Sequence, residues 1–175
     1  HGGIIAGIII IWIFSLKKKL CFWRLTAVIV PGLALAQALG RWGNYFNQEL
    51  FGLPTALPWG IPIDIMNRPI NHLSQQFFHP TFLYESIGNL VIFFILILTI
   101  LYITKKARLN KHFFVLISAL YMILYSILRF SLEFIRLDET PSFLFLRWPQ
   151  IISVIIIILS ILLLIFNPHA SKEKK

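Results

Sequence analysis

The stretch AVIVPGLALAQALGRWGNYFNQELFG, residues 27–52, passes directly from an apolar run into a cluster of polar side chains and glycines. Polar side chains are costly to keep near a lipid bilayer, so a cluster beside an apolar run indicates a functional site. Gly43 and Gly52 are expected to permit a tight, irregular loop that packs closely against its surroundings. The polar members of the cluster are Arg41, Asn44, Asn47 and Glu49.

The composition is typical of an integral membrane protein. Hydrophobic residues make up 58% of the chain and charged residues 13%, and the mean hydropathy is +0.80. Soluble domains have roughly 45–50% apolar and about 25% charged residues. The net charge of +9 does not indicate nucleic-acid binding, because the lysines cluster at the ends of apolar runs, as in cytoplasmic loops. These lysines are Lys17, Lys18 and Lys19, then Lys105, Lys106 and Lys111, and finally Lys172, Lys174 and Lys175.

Five apolar segments predict an all-α, polytopic membrane helix bundle that forms one domain over residues 1–175. The first segment is short for a hydrocarbon core of about 30 Å. Because the chain opens on His1-Gly2-Gly3 without Met, we expect it to be the C-terminal part of a longer protein. The predicted helices cover residues 2–16, 22–39, 81–104, 113–134 and 149–166, with a long outward loop over 41–80.

The charge distribution predicts how these segments are oriented. Eleven of the 16 Lys and Arg residues, all nine lysines with Arg24 and Arg108, fall on one side of the predicted membrane. Six of the seven acidic residues lie on the other side or at its boundary, together with the Arg41 cluster. The positive-inside rule therefore predicts a cytoplasmic C-terminus and a polar cluster at the outer leaflet.

A second polar set lies in the fourth apolar segment. Its spacings of four, four and three residues put its members on one helical stripe, which indicates a polar cavity inside the bundle. Two simpler interpretations stay open: Arg129 could extend to the interface along its aliphatic stem, and Arg136 could be an ordinary boundary residue. The set consists of Tyr125, Arg129, Glu133 and Arg136.

A third set, His79-Pro80 with Tyr84 and Glu85, opens the third apolar segment. Glu85 is expected to be paired or to face the cavity, although a plain interfacial carboxylate is nearly as consistent with its position. We find no metal-ligand, serine-hydrolase or nucleotide-binding pattern. Two or three arginines in a membrane cavity favour the binding of a phosphate group, and the phosphate available there is that of a phospholipid headgroup.

These blocks together resemble a known family. The run Gly40-Arg41-x-Gly43-Asn44-x-x-Asn47-x-Glu49-x-x-Gly52 resembles the signature of bacterial prolipoprotein diacylglyceryl transferases. The other blocks agree with the family in order and spacing over essentially the whole chain. They are His1-Gly2-Gly3, His79-Pro80-x-x-x-Tyr84-Glu85, Tyr125-x-x-x-Arg129-Phe130-x-x-Glu133-Phe134-x-Arg136-x-Asp138 and Gln150-x-x-Ser153.

The resemblance implies a seven-helix enzyme of the bacterial plasma (inner) membrane, of which about two helices and part of a third are missing here. It implies transfer of the diacylglyceryl group of phosphatidylglycerol to the lipobox cysteine of a prolipoprotein signal peptide, with release of glycerol phosphate and without a metal or cofactor. The implied catalytic residues are His1, Arg41, Tyr125, Arg129 and Glu133. The implied substrate-binding residues are Arg41, Asn44, Asn47, Glu49, Gly52 and Arg136.

Within that assignment, Arg41 and Arg129 are expected to hold the phosphate and stabilise the charge that grows on it. His1 is the implied general base, and Glu49 and Glu133 are weaker candidates. A secondary transporter of an anionic solute is the main alternative, because intramembrane Arg and Glu also line anion pathways. Against the transporter, the polar residues gather towards one membrane face and the chain has no internal repeat.

Overall fold

The computed structural model describes residues 2–106, 110–138, 140–143 and 145–167. These residues form five α-helices, which confirms the predicted polytopic helix bundle. The predicted starts of the first three helices match, the end of the second differs by seven residues, and the other bounds differ by one or two. The helices are α1 (Gly2–Lys18), α2 (Phe22–Phe46), α3 (Thr81–Lys106), α4 (Lys111–Leu132) and α5 (Trp148–Ile165).

Four of the described helices, α2 to α5, are long and apolar enough to cross a membrane. The remaining one, α1, has 17 residues. Large apolar side chains such as Val28, Leu98 and Ile165 are exposed on the outside of the bundle, whereas serines and ionised groups are buried within it. This arrangement is the reverse of a soluble domain, so the chain is a membrane protein.

Small side chains and hydrogen bonds between helices hold the bundle together. The helices α2, α3 and α4 contact one another in pairs, α5 packs on α4, and α1 packs on α2. Ala34 and Ala38 are fully buried on α2 and let its neighbours approach closely. Ser86 on α3 donates to the Ala38 carbonyl at 2.9 Å, and Tyr121 on α4 donates to the Gln37 side chain at 2.9 Å.

The second helix runs further than predicted, so the predicted end at residue 39 and the loop start at 41 are wrong. Gly40 and Gly43 both lie inside α2, and a Cβ added at Gly43 would meet no described atom within 4 Å. Gly43 therefore does not form the expected tight loop. A glycine costs a helix only about 1 kcal/mol, which a long packed helix tolerates. The chain turns instead at Gln48 and Leu50, which have φ values of 50° and 55°.

The fourth helix ends earlier than predicted, at Leu132, and Glu133 is its C-terminal cap. The helix thus ends two residues before the predicted bound of about 134, and only Tyr125 and Arg129 of the predicted stripe lie on the helix itself. A turn follows, in which the Arg136 backbone N–H donates to the Leu132 carbonyl at 3.2 Å. This turn keeps Arg136 on the same side as the helical part of the stripe.

The two connections at this end of the bundle contain short antiparallel ribbons that the sequence did not predict. In the loop between α2 and α3, Phe51, Ile63 and Phe78 form a small buried core. The connection between α4 and α5 is shorter and carries the second ribbon. The strands are β1 (Ile61–Pro62) paired with β2 (Phe77–Phe78), and β3 (Ser142–Phe143) paired with β4 (Leu146–Arg147).

Candidate active site

Charged side chains from four helices or their flanks meet at one end of the bundle. Successive helices run in opposite directions, so the last turns of α2 and α4 lie beside the first turns of α3 and α5. Arg41 lies on α2, Glu133 at the end of α4, Glu85 on α3 and Arg147 at the start of α5. The lysines that flank α1, α3 and α4 lie at the opposite end.

Glu85 joins two arginines in the first half of the site. The residue is only 2% exposed and lies early in α3. Its Oε1 lies 2.7 Å from Nη2 of Arg41, and its Oε2 lies 3.8 Å from Nη1 of Arg136. Arg136 also pairs with Asp138, to which its Nε donates at 2.6 Å. Glu85 is therefore a paired, buried carboxylate rather than a plain interfacial one.

Glu133 joins two further arginines in the second half. It is 1% exposed, and its Oε2 lies 2.8 Å from Nη2 of Arg129, one helical turn earlier. Its Oε1 lies 3.2 Å from Nη1 of Arg147, at the end of β4. The Thr140 hydroxyl also donates to Oε1 at 3.2 Å. The two oxygens of this carboxylate thus face different partners.

Tyr125 connects the two halves. Its side chain lies within electrostatic reach of Arg41, Arg129 and Glu85. The guanidinium groups of Arg41 and Arg129 are therefore both near the same phenol. Arg129 Nη1 is buried and has no hydrogen-bond acceptor among the described residues. A buried charged donor without an acceptor is uncommon unless a ligand supplies one.

Positive charge exceeds negative charge in the site. The ion pairs among the described residues involve four arginines and three carboxylates, which leaves one positive charge unbalanced within them; Glu49 reaches Arg41 only through Asn44. Burying charges is costly, and an uncompensated one is more costly still. An anion that enters the site would complete this balance. The arginines are Arg41, Arg129, Arg136 and Arg147, and the carboxylates are Glu85, Glu133 and Asp138.

The residues that follow Arg41 form a chain of hydrogen bonds. Arg41 Nη1 donates to Asn44 Oδ1 at 3.3 Å, and Asn44 Nδ2 donates to Glu49 Oε1 at 2.9 Å. Asn47 Nδ2 donates to the same Glu49 oxygen at 3.2 Å. Glu49 is exposed and accepts hydrogen bonds from both amides. These polar residues therefore orient Arg41 from the exposed side of the site.

Gly52 brings the loop between α2 and α3 into contact with the site. Its N–H donates to the His79 carbonyl at 2.9 Å, and it forms an isolated β-bridge with Arg136. A Cβ added at Gly52 would lie 2.8 Å from the Cβ of His79 and 2.9 Å from Cγ2 of Thr81. Gly52 thus permits the close approach that the sequence predicts for it.

The His79-Pro80-x-x-x-Tyr84 block attaches the same loop to the start of α3. The Tyr84 hydroxyl lies 3.1 Å from Nδ1 of His79 and accepts a hydrogen bond from Trp59 Nε1 at 2.8 Å. The three side chains therefore connect the middle of the loop, the end of β2 and the first turn of α3. They support the site from outside without entering its charge network.

The predicted site residues have different positions in this geometry. Arg41 and Arg129 keep side-chain exposures of 24% and 18%, whereas Arg136 keeps only 7% and directs its donors to Asp138 and Glu85. Arg136 is thus placed to fix these two carboxylates and is less accessible to a substrate than Arg41 and Arg129. His1 lies outside the described residues.

Sequence reasoning missed Arg147. Its one signal was an arginine directly before Trp148-Pro149, where the proline marks the start of the last helix. In the antiparallel order of the helices, that start falls at the same end as Arg41. The sequence did not indicate which carboxylate Arg147 would meet.

Together, the fold and the site define a polytopic membrane protein with an arginine-rich centre at one end of its helix bundle. The sequence profile of the prolipoprotein diacylglyceryl transferase family matches residues 1–166. The chain belongs to this family.

Individual relatives agree. The chain is 46% identical over 139 residues to the phosphatidylglycerol–prolipoprotein diacylglyceryl transferase of Synechococcus sp. strain CC9902, covering 79% of this chain and 49% of the relative. It is 45% identical over 162 residues to the protein of the same name from Synechocystis sp., covering 91% of this chain and 55% of the relative. The chain thus spans about half the length of these relatives.

Proposed function

We propose that the protein transfers the diacylglyceryl group of phosphatidylglycerol to the lipobox cysteine of a prolipoprotein signal peptide and releases glycerol phosphate. Membership of the family and the names of the relatives support this activity and both substrates. The observation that carries the proposal is that the Arg41 and Arg129 guanidinium groups both lie near Tyr125, and that Arg129 Nη1 is buried without an acceptor among the described residues. Two guanidinium forks near one another suit a tetrahedral, anionic phosphate.

The reaction fits the charges of the site. The cysteine sulfur attacks a glyceryl carbon and forms a C–S bond, while the C–O bond to the phosphate breaks and the electron pair leaves with the phosphate. Negative charge then grows on the departing phosphate, and donors that are already in place stabilise it at little cost of reorganisation. Arg41 and Arg129 supply those donors, and the unbalanced positive charge of the site favours the anion.

The thiol, whose ordinary pKa is about 8.5, must lose its proton before it attacks. His1 remains the proposed base on the strength of the resemblance. The oxygens of Glu133 are already directed to Arg129, Arg147 and Thr140, so its geometry supports a role in holding the arginines. Glu49 is exposed and is held by Asn44 and Asn47, which supports a similar role next to Arg41.

The location follows the same proposal. We place the chain in the bacterial plasma (inner) membrane, with its C-terminus in the cytoplasm and the arginine-rich end at the outer leaflet. The support comes from the lysines at the ends of α1, α3 and α4, which lie at the opposite end of the bundle and mark a cytoplasmic face by the positive-inside rule. Membership of a transferase family does not support the alternative of an anionic-solute transporter.

A lipid-transfer assay tests the proposal. The full-length protein is reconstituted with phosphatidylglycerol and a lipobox peptide, and the diacylglyceryl adduct is measured by mass spectrometry. Arg41→Ala should reduce transfer by about 100-fold or more, because it removes a donor to the leaving phosphate. Arg24→Ala is the matched control, since Arg24 is an exposed arginine at the other end of the same helix.

Three outcomes would count against the proposal. Absence of adduct with the wild-type protein would reject the transferase activity. Undiminished transfer by Arg41→Ala would reject the role of Arg41 in phosphate binding. An equal loss in Arg24→Ala would show that the assay reports disturbed membrane insertion rather than loss of the site.

A further inference from the structure

Arg147 is the one arginine of the site for which neither the motif nor the proposed reaction requires a role. We propose that Arg147 is a positioning residue: it fixes the Glu133 carboxylate and thereby the Arg129 guanidinium in the geometry that transfer requires. The inference rests on the proposed function. It concerns a residue at the junction of β4 and α5, away from the signature that spans the end of α2 and the turn after it.

The donors of Arg147 are directed at acceptors of the protein itself. Nη1 lies 3.2 Å from Glu133 Oε1, 3.2 Å from the Glu133 carbonyl and 3.0 Å from the Arg136 carbonyl. Nη2 donates to the Asp138 carbonyl. A guanidinium occupied by four protein acceptors is poorly placed to bind a phosphate as well. Arg147 is therefore placed to fix the positions of the Glu133 carboxylate and the neighbouring backbone carbonyls.

The division of the Glu133 carboxylate explains how the effect reaches Arg129. Arg147 and Thr140 both hold Oε1, while Oε2 lies 2.8 Å from Nη2 of Arg129. A carboxylate is planar, so fixing one oxygen also fixes where the other points. Without Arg147, the Glu133 side chain could rotate and Arg129 would lose the fixed partner that orients it.

The backbone contacts extend the same effect to Arg136. The last carbonyls of a helix lack partners within the helix, and the turn after it adds further free carbonyls. Arg147 bonds to carbonyls along this turn, which carries Arg136 between α4 and β3. Arg147 is itself fixed, because its backbone N–H donates at 3.0 Å to the side chain of the buried Gln150 on α5. The start of α5 therefore sets the position of two arginines of the site.

Steady-state kinetics of the full-length protein, with phosphatidylglycerol varied and a lipobox peptide in excess, test this role. Arg147→Gln should lower kcat about 10- to 100-fold, because a catalytic group displaced by about 1 Å loses that much rate. The KM for phosphatidylglycerol should change less than about threefold, since the donors of Arg147 are occupied by protein acceptors. Arg147→Lys should show an intermediate kcat, because the ammonium can meet Glu133 but cannot span the carbonyls.

The matched control is Arg68→Gln. Arg68 likewise donates to backbone carbonyls, at 2.7 Å to Ile63 and 3.0 Å to Leu73, but it lies in the loop between α2 and α3. It belongs to none of the ion pairs of the site. This variant should keep the wild-type kcat while losing a similar set of hydrogen bonds.

A double-mutant cycle separates positioning from general stability. If Arg147 acts through Glu133, then Arg147→Gln should cost little further kcat in a Glu133→Gln background. Additive losses, or an unchanged kcat in Arg147→Gln, would overturn the inference.

Should Arg147→Gln fail to accumulate in membranes, Arg147→Lys provides the test. A lowered kcat with a wild-type melting temperature supports the role, and an unchanged kcat overturns it. A wild-type protein without transfer activity would instead overturn the proposed function.

Discussion

Both ends of the helix bundle carry positive charge, but one end exposes it and the other largely buries it. At one end, Lys17, Lys18, Lys19, Lys105 and Lys111 are exposed at the helix termini. At the other end, four arginines are largely buried, and every ion pair among the described residues is found there. Positive charge is thus solvated at the lysine end and held in fixed positions at the arginine end.

The difference follows from the chemistry of the two side chains. An ammonium is a strongly hydrated point charge on a flexible stem, which suits a face that only has to remain in water. A guanidinium is planar, always charged and able to bond to several acceptors in defined directions. Buried arginines cost free energy unless carboxylates and carbonyls surround them, and Glu85 and Glu133 each provide this for two arginines. The lysine end is suited to orientation and the arginine end to chemistry.

The largest effect on stability is expected from Glu85→Ala. The change leaves Arg41 and Arg136 without their shared carboxylate, and breaking a buried pair in this way costs about 3–5 kcal/mol. Thermal unfolding in detergent micelles should show a strongly lowered Tm. Glu49→Ala is the control at the same end, because Glu49 is exposed and should cost far less. Equal shifts in both variants would contradict the difference between buried and solvated charges.

A smaller effect is expected from Gly52→Ala. The added methyl group would approach the Cβ of His79 to 2.8 Å, and overpacking of this kind costs about 1–3 kcal/mol. Gly43→Ala is its partner within the same signature, where the new Cβ meets open space and the better helix former adds up to about 1 kcal/mol. Unfolding measurements on both variants should give shifts of opposite sign. A destabilised Gly43→Ala would contradict the packing described for this position.

The smallest effect on stability is expected at the lysine end. Changing Lys17, Lys18 and Lys19 to Gln should alter the free energy of unfolding by no more than about 0.5 kcal/mol per residue, because these side chains are exposed. Cys21, the only cysteine of the chain, lies exposed beside them and reports the orientation. A membrane-impermeant maleimide should label the wild-type protein in inverted vesicles but not in intact cells. Labelling of Cys21 in intact cells would contradict the proposed orientation.

The parts of the fold that the sequence predicted are those set by long patterns. Apolar runs bounded by lysines or prolines located all five helices, because a bilayer selects for that length and hydropathy. The errors fall where local signals compete with packing. Gly40 and Gly43 predicted the end of a helix, yet α2 continues to Phe46. Packing against neighbouring helices outweighs the low helix propensity of two glycines.

The sequence predicted the residue types of the site but not which side chains form ion pairs with one another. The motif spacing grouped Tyr125 with Arg129 and Glu133 correctly, since residues four apart share a helical face. The partners of Glu85 come from distant segments, and only the antiparallel order of the helices brings Arg41 and Arg136 to it. Arg147 depends on the turn after α4 and on a short ribbon of two-residue strands, for which the sequence carries little signal.

A cryo-electron-microscopy structure of the full-length protein with a non-transferable phosphonate analogue of phosphatidylglycerol tests the central claim most directly. We expect the phosphonate beside Tyr125, with oxygens within about 3 Å of the guanidinium groups of both Arg41 and Arg129. A headgroup bound at the lysine end, or one that contacts neither arginine, would contradict it.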